Sequence, residues 1–252
     1  MREEPLAGGN VAASVVRVGD TVRRPAGPWT PAVQALLGYL AEVGFRGAPR
    51  PYGLDEQGRE VLEFVPGDVA WPDHFDALAD PAAVARVGRL IREYHDAVAG
   101  FRPPADARWR QLWPPHGDEI IAHHDLAPWN LVLGARPVFI DWDGAGPGTR
   151  LWDLAYAVHG FVPLAPHVGA DGAGVRLRTV VDGYGLDEDG RRELVALLPV
   201  PAQAMYDLLE RGADTGEQPW ARLWSEGHGA VWRADTDFIE RHRARWLTAL
   251  LD

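Results

Sequence analysis

The apolar and polar positions near the start of the chain predict a small β-rich unit. Two apolar stretches, residues 14–18 and 21–24, are separated by a Gly-Asp pair, which predicts a β-hairpin with a two-residue turn. A third stretch, residues 61–65, predicts another strand that a Pro-Gly pair ends. Between them, Thr30 and Pro31 form an N-cap and first-turn pair, and apolar residues then recur at helical spacing. The first third is therefore predicted to be a sheet with one inserted helix.

The pattern changes after Gly67 and predicts a second, mainly helical unit. Asp80 and Pro81 open a helix whose apolar residues are spaced alternately three and four apart, which is typical of a buried stripe. The strong strand signals of this part are short and are followed by helices from about residue 171; they cover residues 120–122, 131–133 and 138–140. The pattern predicts an α+β protein of two units, residues 1–67 and 68–252.

Composition excludes several classes of function. The chain has 252 residues, 46% of them hydrophobic, and no cysteine, so thiol catalysis, thiolate zinc sites and disulfides are absent. The formal charge of −11 argues against a nucleic-acid partner and suits a cationic ligand, although it also serves solubility. No apolar run approaches a membrane span, and no signal-peptide pattern is present. We expect a cytoplasmic protein without a membrane partner, as a monomer or a weak dimer.

Three polar residues follow the short strands at a spacing that suits phosphoryl transfer. Asp125 stands two residues after His123 and five residues before Asn130, and Asp141 ends the next strand. Phosphoryl transfer needs a carboxylate to receive the acceptor hydroxyl and two oxygen ligands to hold Mg²⁺ on the phosphates. The order and spacing of these residues match a kinase catalytic loop and the metal-binding loop that follows it.

The run His-His-Asp-Leu-Ala-Pro-Trp-Asn from residue 123, then Ile-Asp-Trp from 140 and Trp-Asp-Leu-Ala from 152, resembles the signature of the aminoglycoside phosphotransferase and choline kinase family. The resemblance implies a protein-kinase-like fold, with a β-rich nucleotide lobe and a helical substrate lobe. It implies Asp125 as the catalytic carboxylate, His123 as a support of its loop, and Asn130 and Asp141 as Mg²⁺ ligands. Asp153 is implied to brace the loop through backbone amides. ATP or GTP would be the phosphate donor.

The predicted nucleotide lobe departs from the kinase pattern at one strand. Kinases carry a phosphate-binding Lys on the third strand, and here Arg24 occupies that place. A Glu partner is expected near Val33 on the inserted helix, but the helix has only Glu42, near its far end. The usual Lys-Glu ion pair is therefore expected to be missing. Arg can still bind phosphate through its planar fork.

Two further segments of the first unit are candidates for nucleotide contact. Gly8, Gly9 and Asn10 stand where kinases place a turn over the phosphates, although a plain turn would look the same. The strand that ends at Val65 resembles the interlobe hinge, where the backbone C=O of Glu63 and N–H of Val65 would meet the base. A buried strand without a ligand is the alternative for this segment.

Two functions remain open from the sequence. The first is a small-molecule kinase that phosphorylates a hydroxyl of a metabolite or antibiotic, a cationic acceptor included, with a role in antibiotic resistance as one outcome. The second is a non-catalytic, kinase-like binding or immunity protein. The stretch from Gly8 to Pro25 also resembles a subgroup linked with trifolitoxin immunity. The absent Lys favours the second function, and the intact metal-ligand pattern favours the first.

Overall fold

The computed structural model describes residues 2–6, 15–114 and 116–252, and the first part of the chain forms an antiparallel sheet with one helix. The five strands lie in the order β1-β2-β3-β5-β4. Their bounds are β1 Glu4–Pro5, β2 Val16–Val18, β3 Thr21–Arg24, β4 Pro51–Leu54 and β5 Glu60–Glu63. The predicted hairpin is confirmed, because Val18 pairs with Thr21 across the Gly-Asp turn. The sequence did not predict strand β4, because the prolines around it are typical of a turn. Strand β4 lies at the edge of the sheet, beside β5, and an edge strand tolerates proline.

The helix of this part, α1 (Thr30–Glu42), packs its apolar face against the protein core. The N-cap residue of the helix is Trp29, and Thr30 is the first residue of the helix. The Thr30 hydroxyl accepts a hydrogen bond from the Gly27 N–H. The expected N-cap is therefore wrong by one residue. Gly44 follows the helix with a φ of +84°, a left-handed conformation that glycine adopts without strain.

The second part of the chain is mainly helical and carries two small sheets. Its strands are β6 Asp68–Val69, β7 Ile120–Ala122, β8 Leu131–Leu133, β9 Val138–Phe139 and β10 Gly146–Gly148. They pair as β6-β8-β9 and as β10-β7. The helices are α2 Pro81–Val98, α3 Arg150–Phe161, α4 Ala170–Tyr184, α5 Glu188–Leu197, α6 Pro199–Thr215, α7 Trp220–Ser225, α8 His228–Arg241 and α9 Arg243–Leu251.

Helix α2 begins as the sequence predicts, since the Asp80 side chain accepts from the Ala82 N–H and Pro81 occupies the first turn. It packs along α4, and Gly88 permits this approach because a Cβ there would lie 2.2 Å from the Val180 carbonyl oxygen. The apolar faces of α1, α2, α3 and α4 contribute to one core that also contains the short strands. Within the described residues, no helix is long and apolar enough to cross a membrane.

Candidate active site

Asp125 lies between β7 and β8, and three donors surround its carboxylate. Oδ1 accepts from the Tyr156 hydroxyl at 2.8 Å and from the Trp129 indole at 3.3 Å, and Oδ2 accepts from Asn130 Nδ2 at 2.7 Å. Burial, and then the negative charge of Asp141, raise the pKa of Asp125 to about 6. A carboxylate with a pKa near neutrality is a better proton acceptor than an ordinary Asp, and its position suits a general base.

His123 supports this loop as a neutral, buried side chain. Its Nδ1 accepts from the Asp125 backbone N–H at 3.2 Å, so its Nε2 carries the proton and donates to the Ile140 carbonyl oxygen at 3.2 Å. The ring packs against Trp142 at 4.5 Å between centroids. Burial lowers the pKa of His123 to about 4. The histidine thus connects the Asp125 loop to the strand end that precedes Asp141.

Asp153, at the start of α3, braces the loop as the resemblance implied. Its carboxylate oxygens accept from the backbone N–H groups of His123 at 2.9 Å and His124 at 2.8 Å. The same carboxylate meets His95 Nε2 at 3.2 Å, and His95 Nδ1 lies 2.9 Å from the Tyr184 hydroxyl. All of these residues are buried. A network of buried, hydrogen-bonded polar groups therefore holds the backbone of the loop in place.

His124 adopts a left-handed backbone conformation, with φ +66°. Such a conformation is costly for a residue with a Cβ. The contacts of the imidazole ring offset this cost. Its Nδ1 donates to the Gly144 carbonyl oxygen at 3.0 Å, and its edge packs against Trp152 with 5.2 Å between ring centroids. The side chain therefore ties the predicted catalytic loop, residues 123–130, to the segment 141–144 that carries the predicted metal ligand Asp141.

Asn130 and Asp141 fit an oxygen-ligated cation. Asn130 gives both hydrogens of Nδ2 to Asp125, at its backbone oxygen and at Oδ2, and no hydrogen bond to Asn130 Oδ1 is present within the described residues. Asp141 follows β9 with φ +59°, and 42% of its side chain is exposed. No group of three or more His, Cys, Asp or Glu that could hold a metal is present in the described part of the chain. Two oxygen ligands suit Mg²⁺, which keeps waters and substrate phosphates in its shell.

Arg24 joins the sheet to Asp141 and Asp143, and it also has a glutamate partner. Its guanidinium donates from Nε to Glu60 at 2.5 Å, from Nη1 to Asp141 at 3.0 Å and from Nη2 to Asp143 at 2.6 Å. The expectation concerned the usual pair of a Lys with a helix Glu; Arg24 pairs instead with a Glu on a strand, a partner that the sequence did not predict. The Glu comes from the neighbouring strand β5, where Glu60 pairs with Arg24 in register, and not from the helix. Burial alone would lower the pKa of Arg24, but the three carboxylates raise it.

At the predicted hinge, the backbone N–H and the side chain of Glu63 are both engaged within the protein. Glu63 donates its backbone N–H to the Arg50 carbonyl oxygen at 2.8 Å, and its carboxylate binds Arg136 at 2.9 and 3.0 Å. The Val65 N–H has no backbone partner within the described ranges. Gly8, Gly9 and Asn10 lie outside the described residues, so the predicted phosphate turn stays a prediction.

The acidic residues of the last helices are mostly engaged with neighbours. Asp235 is buried against His159 at 3.0 Å, and Glu226, Asp237 and Asp207 pair with side chains four residues before them in the chain. These acidic side chains therefore have solvated or structural roles and do not form a dedicated cation pocket among these residues.

The comparison with known proteins decides the family. A profile of the phosphotransferase enzyme family matches residues 104–194, the segment with the catalytic and metal loops. The chain is also 33% identical to the trifolitoxin immunity protein of Rhizobium leguminosarum bv. trifolii, in an alignment that covers 100% of both chains. The chain belongs to the phosphotransferase enzyme family. This membership confirms the predicted class of enzyme, a phosphotransferase with an alcohol group as acceptor.

Solved structures share the fold of this phosphotransferase family member. A choline/ethanolamine kinase family protein from Mesorhizobium loti matches with a TM-score of 0.65 and 18% identity, over 98% of this chain and 93% of that one. The GDP complex of wild-type aminoglycoside 2′-phosphotransferase-IIIa matches with a TM-score of 0.57 and 14% identity, over 97% of this chain and 93% of that one. They confirm the predicted kinase-like α+β fold.

Sequence reasoning missed several residues of the candidate site. Glu60 begins strand β5, whereas the kinase pattern places the partner of the phosphate-binding residue on a helix. Register counting along β3 and β5 is the signal that could have found it, since the two strands pair through four consecutive residues. Tyr156 lies three residues after Asp153 on α3, and helical spacing could have placed both on one face. No local pattern identifies His95, which reaches the site from α2.

Proposed function

We propose that this protein is a small-molecule kinase that transfers the γ-phosphoryl group of ATP or GTP to a hydroxyl of a metabolite or antibiotic. The observation that carries the proposal is the contact of Asp125 with Asn130 beside Asp141: a proton-accepting carboxylate adjoins two oxygen ligands. This is the minimum set for in-line phosphoryl transfer. Residues 1–67 would form the nucleotide lobe and residues 68–252 the catalytic and acceptor lobe.

In the proposed reaction Asp125 accepts the proton of the acceptor hydroxyl as that oxygen attacks the γ-phosphorus. Tyr156, Trp129 and Asn130 orient the carboxylate through the three hydrogen bonds to its oxygens. Asn130 Oδ1 and the Asp141 carboxylate would hold Mg²⁺, which neutralises phosphate charge when bound. Arg24 would contact phosphate oxygens with its terminal nitrogens, and the hinge backbone at Glu63 and Val65 would meet the base.

We propose a cationic alcohol as the acceptor, from the names of structurally similar proteins and from the net charge of the chain. Structurally similar proteins are a choline/ethanolamine kinase family member and an aminoglycoside phosphotransferase, and their names specify cationic alcohols. A net charge of −11 suits such an acceptor. We further propose that the protein is a monomer or weak dimer in the cytoplasm. Antibiotic resistance is one physiological outcome of the proposed activity.

A second candidate is a non-catalytic immunity protein that sequesters a toxic peptide or antibiotic. The 33% identity to a trifolitoxin immunity protein favours it. The intact set of Asp125, Asn130 and Asp141 favours catalysis, because a binder needs no metal ligands.

The deciding experiment is nucleotide turnover with Mg²⁺ over a panel of aminoglycosides, other antibiotics, amino alcohols and sugars, followed by mass detection of a product heavier by one phosphate. Acceptor-dependent turnover supports the kinase. Nucleotide binding without turnover on any acceptor, together with tight binding of a peptide or antibiotic, would support the immunity protein instead.

A further inference from the structure

We propose that Glu60 is the positioning residue of the nucleotide site: it holds the Arg24 guanidinium by its Nε edge, so that both terminal nitrogens face the metal loop. The inference rests on the proposed function, in which Arg24 contacts the phosphates. Glu60 on strand β5 would then have the role that a helix glutamate has in other kinases.

Glu60 is built into the sheet as an anchored, buried carboxylate. Its Oε2 accepts from Arg24 Nε at 2.5 Å, and its Oε1 accepts from Gln34 Nε2 at 2.8 Å. Gln34 is itself fixed, since its Oε1 accepts from the Gly53 N–H at 2.8 Å. Glu60 is 1% exposed, so both of its oxygens are used within the protein. A buried charge is tolerated when it is paired and hydrogen-bonded in this way.

The location of the pair on neighbouring strands fixes the backbones of both residues without the helix. Arg24 and Glu60 are register partners in the β3-β5 ladder, so the ladder hydrogen bonds hold their backbones opposite each other. Helix α1 contributes only the neutral amide of Gln34. Movement of α1 would therefore leave the backbone pairing of Arg24 and Glu60 intact and would affect only the Gln34 hydrogen bond to the Glu60 carboxylate.

The side chain of arginine is required for this arrangement. A guanidinium has five donors in a rigid fork, so Nε can serve Glu60 while Nη1 and Nη2 serve two further oxygens. Those two oxygens now belong to Asp141 and Asp143, at 3.0 and 2.6 Å. A lysine ammonium is a compact charge at the end of a flexible stem and cannot divide its donors along such an edge. Glu60 and Arg24 thus act as one unit that replaces the usual Lys-Glu pair.

The test is a double-mutant cycle on nucleotide affinity. The Kd values of ATP and GTP with Mg²⁺ are measured by calorimetry for the wild type, Glu60→Gln, Arg24→Gln and the double variant. We expect Arg24→Gln to weaken binding about tenfold to a hundredfold, as loss of a charge-assisted contact does. Glu60→Gln should weaken it severalfold, and the double variant should bind no more weakly than Arg24→Gln alone.

Two companion variants separate positioning from stability. Gln34→Met removes the anchor of Glu60 and keeps the bulk of the side chain, so it should weaken binding severalfold only when Arg24 is present. Asp55→Asn removes an ion pair of the same β-rich part, with Arg59 at 2.8 Å, and should leave nucleotide affinity unchanged. Melting temperatures are recorded for every variant. The Gln34→Met measurement also preserves the test if Glu60→Gln does not fold.

The outcomes distinguish the inference from the proposed function. A wild type that binds neither nucleotide with Mg²⁺ would overturn the kinase proposal itself. A wild type that binds, together with Glu60→Gln and Gln34→Met variants that bind equally well, would overturn the role of Glu60 alone. Equal weakening by Glu60→Gln with and without Arg24 would also overturn it, because Glu60 would then act by another route.

Discussion

Arg24 on strand β3 donates from Nη1 to Oδ1 of Asp141 at 3.0 Å, and this contact joins the sheet of the first part to the metal loop of the second. The carboxylate that is proposed to bind Mg²⁺ is therefore already paired with a cationic side chain of the protein itself. Glu60, Asp141 and Asp143 bring three carboxylates to one guanidinium, so the cluster has two negative charges in excess when all are ionised. A divalent cation would balance that excess.

Nucleotide affinity should depend strongly on Mg²⁺. A triphosphate that enters without a cation meets an excess of carboxylates, whereas Mg²⁺ held by Asn130 and Asp141 would offset the repulsion. Calorimetry with ATP and GTP, in Mg²⁺ and in EDTA, measures the difference. Asp141→Ala should abolish the Mg²⁺ effect while the chain stays folded, since 42% of the Asp141 side chain is exposed. Equal affinity in EDTA would contradict the metal assignment.

Asp125→Asn should reduce kcat by about 10²- to 10⁴-fold, because the amide cannot accept the acceptor proton. Nucleotide affinity should stay within severalfold of the wild type, since the change leaves the proposed metal ligands intact. Tyr156→Phe is the matched comparison: it removes one hydrogen bond to the carboxylate but keeps the base, so its effect on kcat should be smaller. Full turnover by Asp125→Asn on the true acceptor would show that another group takes the proton.

Acid should destabilise the fold through His123. Burial lowers the pKa of His123 to about 4, below its ordinary value of 6.5, so the unfolded chain binds a proton before the folded one does. The stability from this residue is complete above pH 6.5 and falls as the pH drops toward 4. At pH 5 the loss should be about 2 kcal/mol. Urea unfolding at about pH 7.5 and pH 5 measures it, and His123→Gln should lose less stability between these values than the wild type.

His124→Ala should destabilise the fold more than His124→Gly. Both changes remove the ring contacts with Gly144 and Trp152, but only glycine relieves the left-handed backbone at φ +66°. The difference should be about 1 kcal/mol, the typical cost of this conformation for a residue with a Cβ. Urea unfolding of both variants tests it. The interpretation fails if the glycine variant is the less stable of the two.

The catalytic segment could be predicted from the sequence because its signals are local. The spacing of Asp125, Asn130 and Asp141 is set by a short loop between short strands, and the structure brings Asp125 and Asn130 into contact at 2.7 Å. The hairpin at residues 18–21 and helix α2 were equally local, since turn residues and caps lie next to the elements that they end. The family resemblance rests on the same segment, where a profile matches residues 104–194.

The partners of these residues were decided by tertiary structure. Glu60 meets Arg24 only because β5 is inserted beside β3, 36 residues further along the chain, and a helix partner was the expectation from sequence. His95 reaches Asp153 across 58 residues because α2 packs under the catalytic loop. Sequence by itself determined the elements and the chemistry of the motif, which depend on neighbours in the chain. Only the packing of distant elements decided which charges meet, because strand order and helix contacts are set by burial of the whole core.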